Sequence, residues 1–311
     1  MTPLPDGARA AAPGTTEVVE YTDPLCPWAW GSEPAFRRLR TTLPAGVRWR
    51  RVFCILFDED DDPAPDPAAE TAWYARYVAD VSRHTGAPRA ARLQRVAASS
   101  WPASLVAKAA EAQGTQVAER VLRRLRETVF VLGEPADTHE RALAAVQGVP
   151  GLDPARLSAE ALSDAVRERV RADRSEARRP VPEARSAPGG SPHPGAAKET
   201  QDGGYRYALP TVLVRAPGGH RLVPGLRPCE AYENAVGEIC AAAPVPAVRL
   251  SPDEALLRHR TLTGPELALL TDGREPPVRA VRLETGNGPL WLHPEEAATH
   301  PATRPASPAA R

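Results

Sequence analysis

The chain of 311 residues carries 39 basic and 39 acidic side chains, so no global field favours nucleic acid or an anionic membrane as a partner. Its length suits one large core or two smaller ones, and four cysteines are too sparse for a disulfide scaffold. No stretch approaches the roughly 18 apolar residues of a membrane span, and the opening Met1 to Gly7 lacks a positive start and an apolar run, so a cytoplasmic location is expected.

Glu17 to Tyr21 has strand composition, and after the break at Thr22 to Leu25 the segment from Pro27 to Leu43 suits a helix. Val47 to Phe53 alternates, with Val47, Trp49, Arg51 and Phe53 on one side and Arg48, Arg50 and Val52 on the other, which suits a strand. Strand, helix, strand within this span is a βαβ unit, whose crossover makes the two strands parallel neighbours. From Ala68 to about Arg178 the spacing becomes helical, with Trp73, Tyr77 and Val81, then Val117, Val121, Leu125 and Val129, and four or five helices are expected. Arg179 to Gly195 is rich in Pro, Gly and Ser and reads as a mobile loop. Order is expected to return at Tyr205 to Arg215, with a turn at Ala216 to Gly219 and a strand from His220 to Val223. A helix follows around Pro228 to Ala241 with Tyr232, Val236, Ile239 and Cys240 on one face. The tail carries a capping box at Thr263 and Glu266 and a hairpin around Thr285 to Gly288, the marks of a small appended α+β module over 246–300.

Chemistry concentrates at Asp23-Pro-Leu-Cys-Pro-Trp-Ala-Trp-Gly31, which places Cys26 between strand and helix. A thiol at a helix N-terminus meets exposed amides and the positive end of the helix dipole, which favour the thiolate, so a depressed pKa is expected there. Pro27 suits the first helical position because its missing N–H would be unpaired anyway.

These motifs resemble the DsbA-like, thioredoxin-fold oxidoreductases, including the FrnE-like branch. The active-site entry, the long helical insertion and Tyr207-Ala-Leu-Pro-Thr-Val-Leu-Val followed by Val223-Pro-Gly all agree, over roughly Thr16 to Ala243. The resemblance implies an α/β fold: a thioredoxin-like sheet in domain 16–243, with a helical insertion at about 64–178 and a flexible loop at about 179–200. It also implies a cis-proline at Pro210 and a substrate groove formed by Pro27, Trp28, Ala29, Trp30, Leu209 and Pro210. Where the family has its second cysteine this chain has Ala29, so no internal Cys-X-X-Cys disulfide can form. Cys26 is then a single nucleophile of a monothiol oxidoreductase, released by another thiol. Cys54 and Cys229 are candidates for that resolving role by topology, or are small apolar core residues, while Cys240 is expected to be buried.

Two other readings stay open: a non-enzymatic adaptor on a degenerate scaffold, and a thiol-cofactor-dependent transferase or isomerase of small aromatic compounds. No bound cofactor is expected beyond a low-molecular-weight thiol as co-substrate. The expected partner is a protein or small-molecule thiol, disulfide or electrophile. The acidic run Asp58 to Asp62 reads as a solvated loop, and the seven histidines show no ligand spacing, so no metal site is expected.

Overall fold

The computed structural model describes residues 15–59, 64–187, 192–193, 195–240, 245–273 and 275–303. The first unit is β1 (Glu17–Thr22), α1 (Pro27–Thr42) and β2 (Arg48–Phe53), with β1 and β2 parallel and Thr22 paired with Phe53. A helical region follows: α2 (Pro67–Thr85), α3 (Trp101–Ala110), α4 (Thr115–Phe130), α5 (His139–Ala145), α6 (Pro154–Ala161) and α7 (Asp164–Ala177). These are six helices where four or five were expected. The short α5 and α6 start on the side chains of Thr138 and Asp153 rather than on a long apolar period.

The part of the presumed loop that is described is built into the fold. It contains α8 (Pro182–Arg185), whose Ala184 is buried, and His193, which is 4% exposed; residues 188–191 and 194 lie outside the described residues. Next come β3 (Lys198–Glu199) and β4 (Tyr205–Arg206), which pair with each other, then β5 (Thr211–Ala216) and β6 (Gly219–Pro224), which form the expected hairpin. The presumed strand from Tyr205 to Arg215 is therefore two strands, interrupted at 207–210. The main sheet runs β2-β1-β5-β6, with β5 antiparallel to β1, so strands far apart in sequence lie side by side.

Alternation along β1 and β5 sends Val18, Val212 and Val214 to one face. There they pack on Phe36 and Leu39 of α1 and on Tyr232 and Val236 of α9 (Cys229–Ile239). Val19, Tyr21 and Leu213 face the other way, with Ala177 of α7 and Cys26 itself. Val121, Leu125 and Val129 of α4 lie in the helical core as their spacing predicts, whereas Trp73 is 56% exposed on the outer side of α2.

The tail forms α10 (Pro252–His259), β7 (Thr261–Thr263), α11 (Gly264–Leu270), β8 (Val281–Leu283), β9 (Leu290–Leu292) and α12 (Pro294–Ala297). The capping box of Thr263 and Glu266 is present, and β8 and β9 are the antiparallel arms of the presumed hairpin. Alternation along β9 turns Trp291 into a small local core with Leu256, Leu262 and Leu267, while Leu290 and Leu292 enter the helical core. At the hairpin tip the Asn287 amide donates to the carbonyls of Ser82 and Ala87, pinning it to the end of α2.

Three successive arginines of α4 hold buried ion pairs. Arg123 binds Glu266 and Glu127, Arg124 binds Glu296, and Arg126 reaches Glu33 of α1 at 2.6 Å. Because each carboxylate is itself buried, the sheet, the helical region and the tail are joined by charges that none of them could bury alone.

Candidate active site around Cys26

The turn from β1 into α1 is clamped by Asp23. One carboxylate oxygen accepts from the Leu25 amide at 2.8 Å and the Ser100 hydroxyl at 3.1 Å; the other accepts from the Leu56 amide at 2.7 Å. Asp23 is fully buried, and burial outweighs these hydrogen bonds, pushing its carboxyl up to about 6. Cys26 is the N-cap of α1 and Pro27 its first helical residue, as the sequence predicts.

The expectation of a depressed thiol pKa is overturned. Cys26 is 3% exposed, and burial pushes its thiol up to about 11. The amides of Ala29 and Trp28 and the charge of Arg206 pull the other way, while the charge of Asp23 adds to the rise. A helix terminus stabilises a thiolate only where water also reaches it, and here the cost of desolvation wins.

The cover comes from distant segments. Trp28 donates its indole N–H to the Tyr77 hydroxyl at 2.7 Å and meets His193 edge-on at 5.0 Å. Burial, then Lys198 and Arg227, push the His193 imidazole down to about 4, so it is neutral. The Tyr74 hydroxyl donates to the Leu25 carbonyl. At Gly31 any Cβ would collide with Thr85, which is how α2 comes close enough to lay Tyr74 and Tyr77 near the thiol. Opposite, the Leu209 carbonyl lies 3.9 Å from the Cys26 sulfur, and the Leu209–Pro210 bond is cis.

Of the presumed groove residues, Pro27, Trp28, Ala29, Leu209 and Pro210 are brought together around Cys26, and all five are buried. Trp30 is not on the thiol side. Its indole donates to the Pro88 carbonyl, and its ring lies against Phe130 and beneath Arg123 in the helical core.

Cys54 shares the apolar cluster of Cys26, at the same end of the sheet, and burial pushes its thiol well up. Cys229 is not brought to Cys26. Its sulfur sits 3.7 Å from the Ala35 carbonyl, nine residues and about 13 Å along α1, because α9 packs against the middle of that helix. Cys240 is half-buried rather than buried. Sequence reasoning gave no role to Asp23 or Arg206; a carboxylate three residues before a helix-capping cysteine was the available signal for the first. Asp58 is buried, bound by Arg174, Arg178 and Trp101, while residues 60–62 of the acidic run lie outside the described residues. Among the described residues no helix is long and apolar enough to cross a membrane.

A cysteine capping the first helix after the first strand, facing a proline loop before an antiparallel hairpin, is a thioredoxin-like arrangement. Residues 20–179, just over half the chain, match the family described as Thioredoxin, and the chain belongs to that family.

Solved structures that share the fold include the following two. A protein from Nitrosomonas europaea assigned as a disulfide isomerase superposes with a TM-score of 0.55 at 15% identity, over 72% of this chain and 97% of that one. A protein from Streptomyces coelicolor assigned as a DsbA oxidoreductase gives 0.50 at 18% identity, over 76% and 96%. In sequence, 140 residues are 33% identical to the ClpXP adapter protein SpxH of Shouchella clausii, which is 44% of this chain. The chain spans 45% of the length of that curated relative.

Proposed function

We propose that the chain is a single-thiol member of the thiol–disulfide oxidoreductases, acting through Cys26. The observation that carries this reading is the placement of the sulfur: Cys26 caps the N-terminus of α1 beside the first-turn amides of Trp28 and Ala29, with the Leu209 carbonyl 3.9 Å away on the loop before β5. In the exchange step the Cys26 thiolate attacks one sulfur of a substrate disulfide. A bond forms between those sulfurs, the substrate's S–S bond breaks, and the second substrate sulfur leaves as a thiolate that water protonates. With Ala29 in place of a resolving thiol, a low-molecular-weight thiol completes the cycle. Its thiolate attacks the substrate sulfur of the mixed disulfide and returns Cys26 as thiolate, so the overall reaction is exchange without net oxidation.

The test is incubation of the folded chain with a small aromatic disulfide, followed by peptide mapping. The expected adduct is on Cys26 ahead of Cys54 and Cys229, with a rate that rises with pH toward the thiol's pKa and is lost in Cys26→Ala. An unmodified Cys26 in a chain that modifies elsewhere would sink the exchange reading.

Burial of the thiol favours a second reading, a binding protein that needs no thiolate, and the partial likeness to a ClpXP adapter gives it a concrete form. Under it, wild type and Cys26→Ala would stimulate ClpXP degradation of a bound substrate equally.

A further inference from the structure

The chain is neutral overall, yet one cleft of about 1250 Å³ gathers ten arginine and lysine side chains against five carboxylates. Cys26 does not line it. Its floor is β2, an edge strand of the main sheet, and its walls come from the later turns of α1, from α4 and α7, and from α10 of the tail.

Charges on an edge strand have a familiar explanation, since they discourage pairing with another chain. That accounts for Arg48 and Arg50, which are neutralised by Glu17 and Glu176. It does not account for the opposite end of the cleft, where cations from three other elements converge. Arg40 spends two nitrogens on Glu33 and Glu119 and lies over the Trp49 ring, but its third nitrogen, Nη1, is buried without a hydrogen-bond partner. Arg120 bonds a main-chain carbonyl at Pro150, and its Nε is likewise buried and unpartnered. Among the described residues neither Arg120 nor the exposed Arg258 makes an ion pair.

We infer that this end of the cleft binds a small polyanion carrying two or more phosphate groups, at a site separate from Cys26. Guanidinium forks match phosphate oxygens two at a time, and donors standing on separate helices are filled together by a ligand with more than one phosphate. The volume admits such a molecule. His259 lies in the same corner. Burial chiefly, then the nearby cations Arg37, Arg258, Arg40 and Arg123, push its imidazole down to about 2, so it adds no positive charge of its own there.

The experiment is calorimetric titration of the full chain with inorganic tripolyphosphate at about 0.15 M salt, where weak surface attraction is largely screened. Saturable binding is expected, weakened at least about tenfold in Arg258→Glu and in Arg120→Gln and unchanged in Cys26→Ala. Arg258 is exposed, so its reversal leaves the fold intact, and thermal melting checks both variants. Non-saturating heats, or equal affinity in all variants, would overturn the site. Preference of about tenfold or more for an oligonucleotide or an acidic peptide over tripolyphosphate would overturn the small-molecule assignment.

Discussion

Asp23→Asn isolates one buried charge beneath the candidate site. The wild-type carboxyl is pushed from 3.8 to about 6, chiefly by burial. Between these values the folded chain holds a proton that the unfolded chain has released. Stability from this group is therefore full below about pH 4 and falls as pH rises through 6, by about 3 kcal/mol, because each tenfold change in proton affinity is worth about 1.4 kcal/mol. Asparagine does not titrate, so that fall disappears. It has a single good acceptor, however, while the aspartate oxygens serve the Leu25 and Leu56 amides separately. One amide is left unsatisfied at every pH, costing about 1–3 kcal/mol. Asp23→Asn is thus expected to be less stable than wild type near pH 4 and as stable or more so near pH 8. Urea denaturation across that range reads the difference, in which groups common to both proteins cancel. A constant difference at all pH values would refute the buried, titrating carboxyl. The same substitution should lower the pKa of the Cys26 thiol, because the charge of Asp23 raises it.

Ala29→Cys restores the spacing of a Cys-X-X-Cys pair across one helical turn, and mass spectrometry under oxidising buffer should find it bonded to Cys26. Ala29 is fully buried, so a stability loss of about 1–3 kcal/mol from overpacking is expected in the reduced form. Arg123→Met should destabilise the chain by about 3–5 kcal/mol in chemical denaturation, since it takes the guanidinium from buried Glu127 and leaves buried Glu266 with Arg37 alone, and adding Glu127→Gln should recover part of that loss. Burial raises the Glu127 carboxyl, but Arg123 and His300 outweigh it and hold it well below the usual range. Its contribution is present above about pH 4.5 and lost as pH falls further, and Arg123→Met should blunt that acid sensitivity.

The βαβ start was legible because each piece is local. Strand composition marks β1, alternation marks β2, Pro27 marks the first helical position, and the short crossover forces parallel pairing. The tail was legible in the same way, through a capping box and a Gly-Asn-Gly turn. The burial of Cys26 was not legible, because Tyr77, His193 and Leu209 reach it from 51, 167 and 183 residues away, and no local pattern encodes a cover assembled at that range. Cys229 fails for a related reason. Topology places the end of β6 near the right end of the sheet, but the four residues after it carry α9 onto the middle of α1. The arginines of α4 are a third case: Arg124 and Arg126 are at most 1% exposed, held by glutamates from the tail and from α1 that the helix's own period cannot announce.

Both candidate sites hang on α1. Its N-terminus carries Cys26, and Arg40 lies fourteen residues further, about 21 Å along the axis. Between them Glu33 binds Arg126, Arg40 and Arg37, so the same buried carboxylate fixes the helix against α4 and holds two of the arginines that line the cationic cleft. Burial raises the Glu33 carboxyl, but Arg40, Arg126 and Arg37 hold it well below the usual range, so it stays charged throughout the physiological window. The helix is thereby fixed near its middle, and each end is left to its own chemistry. At one end an apolar cover sets the thiol's ionisation; at the other, spare guanidinium donors await an anion. A change at Arg258 should therefore leave disulfide exchange at Cys26 unaltered, and a change at Cys26 should leave anion binding unaltered, whereas Glu33→Gln should disturb both.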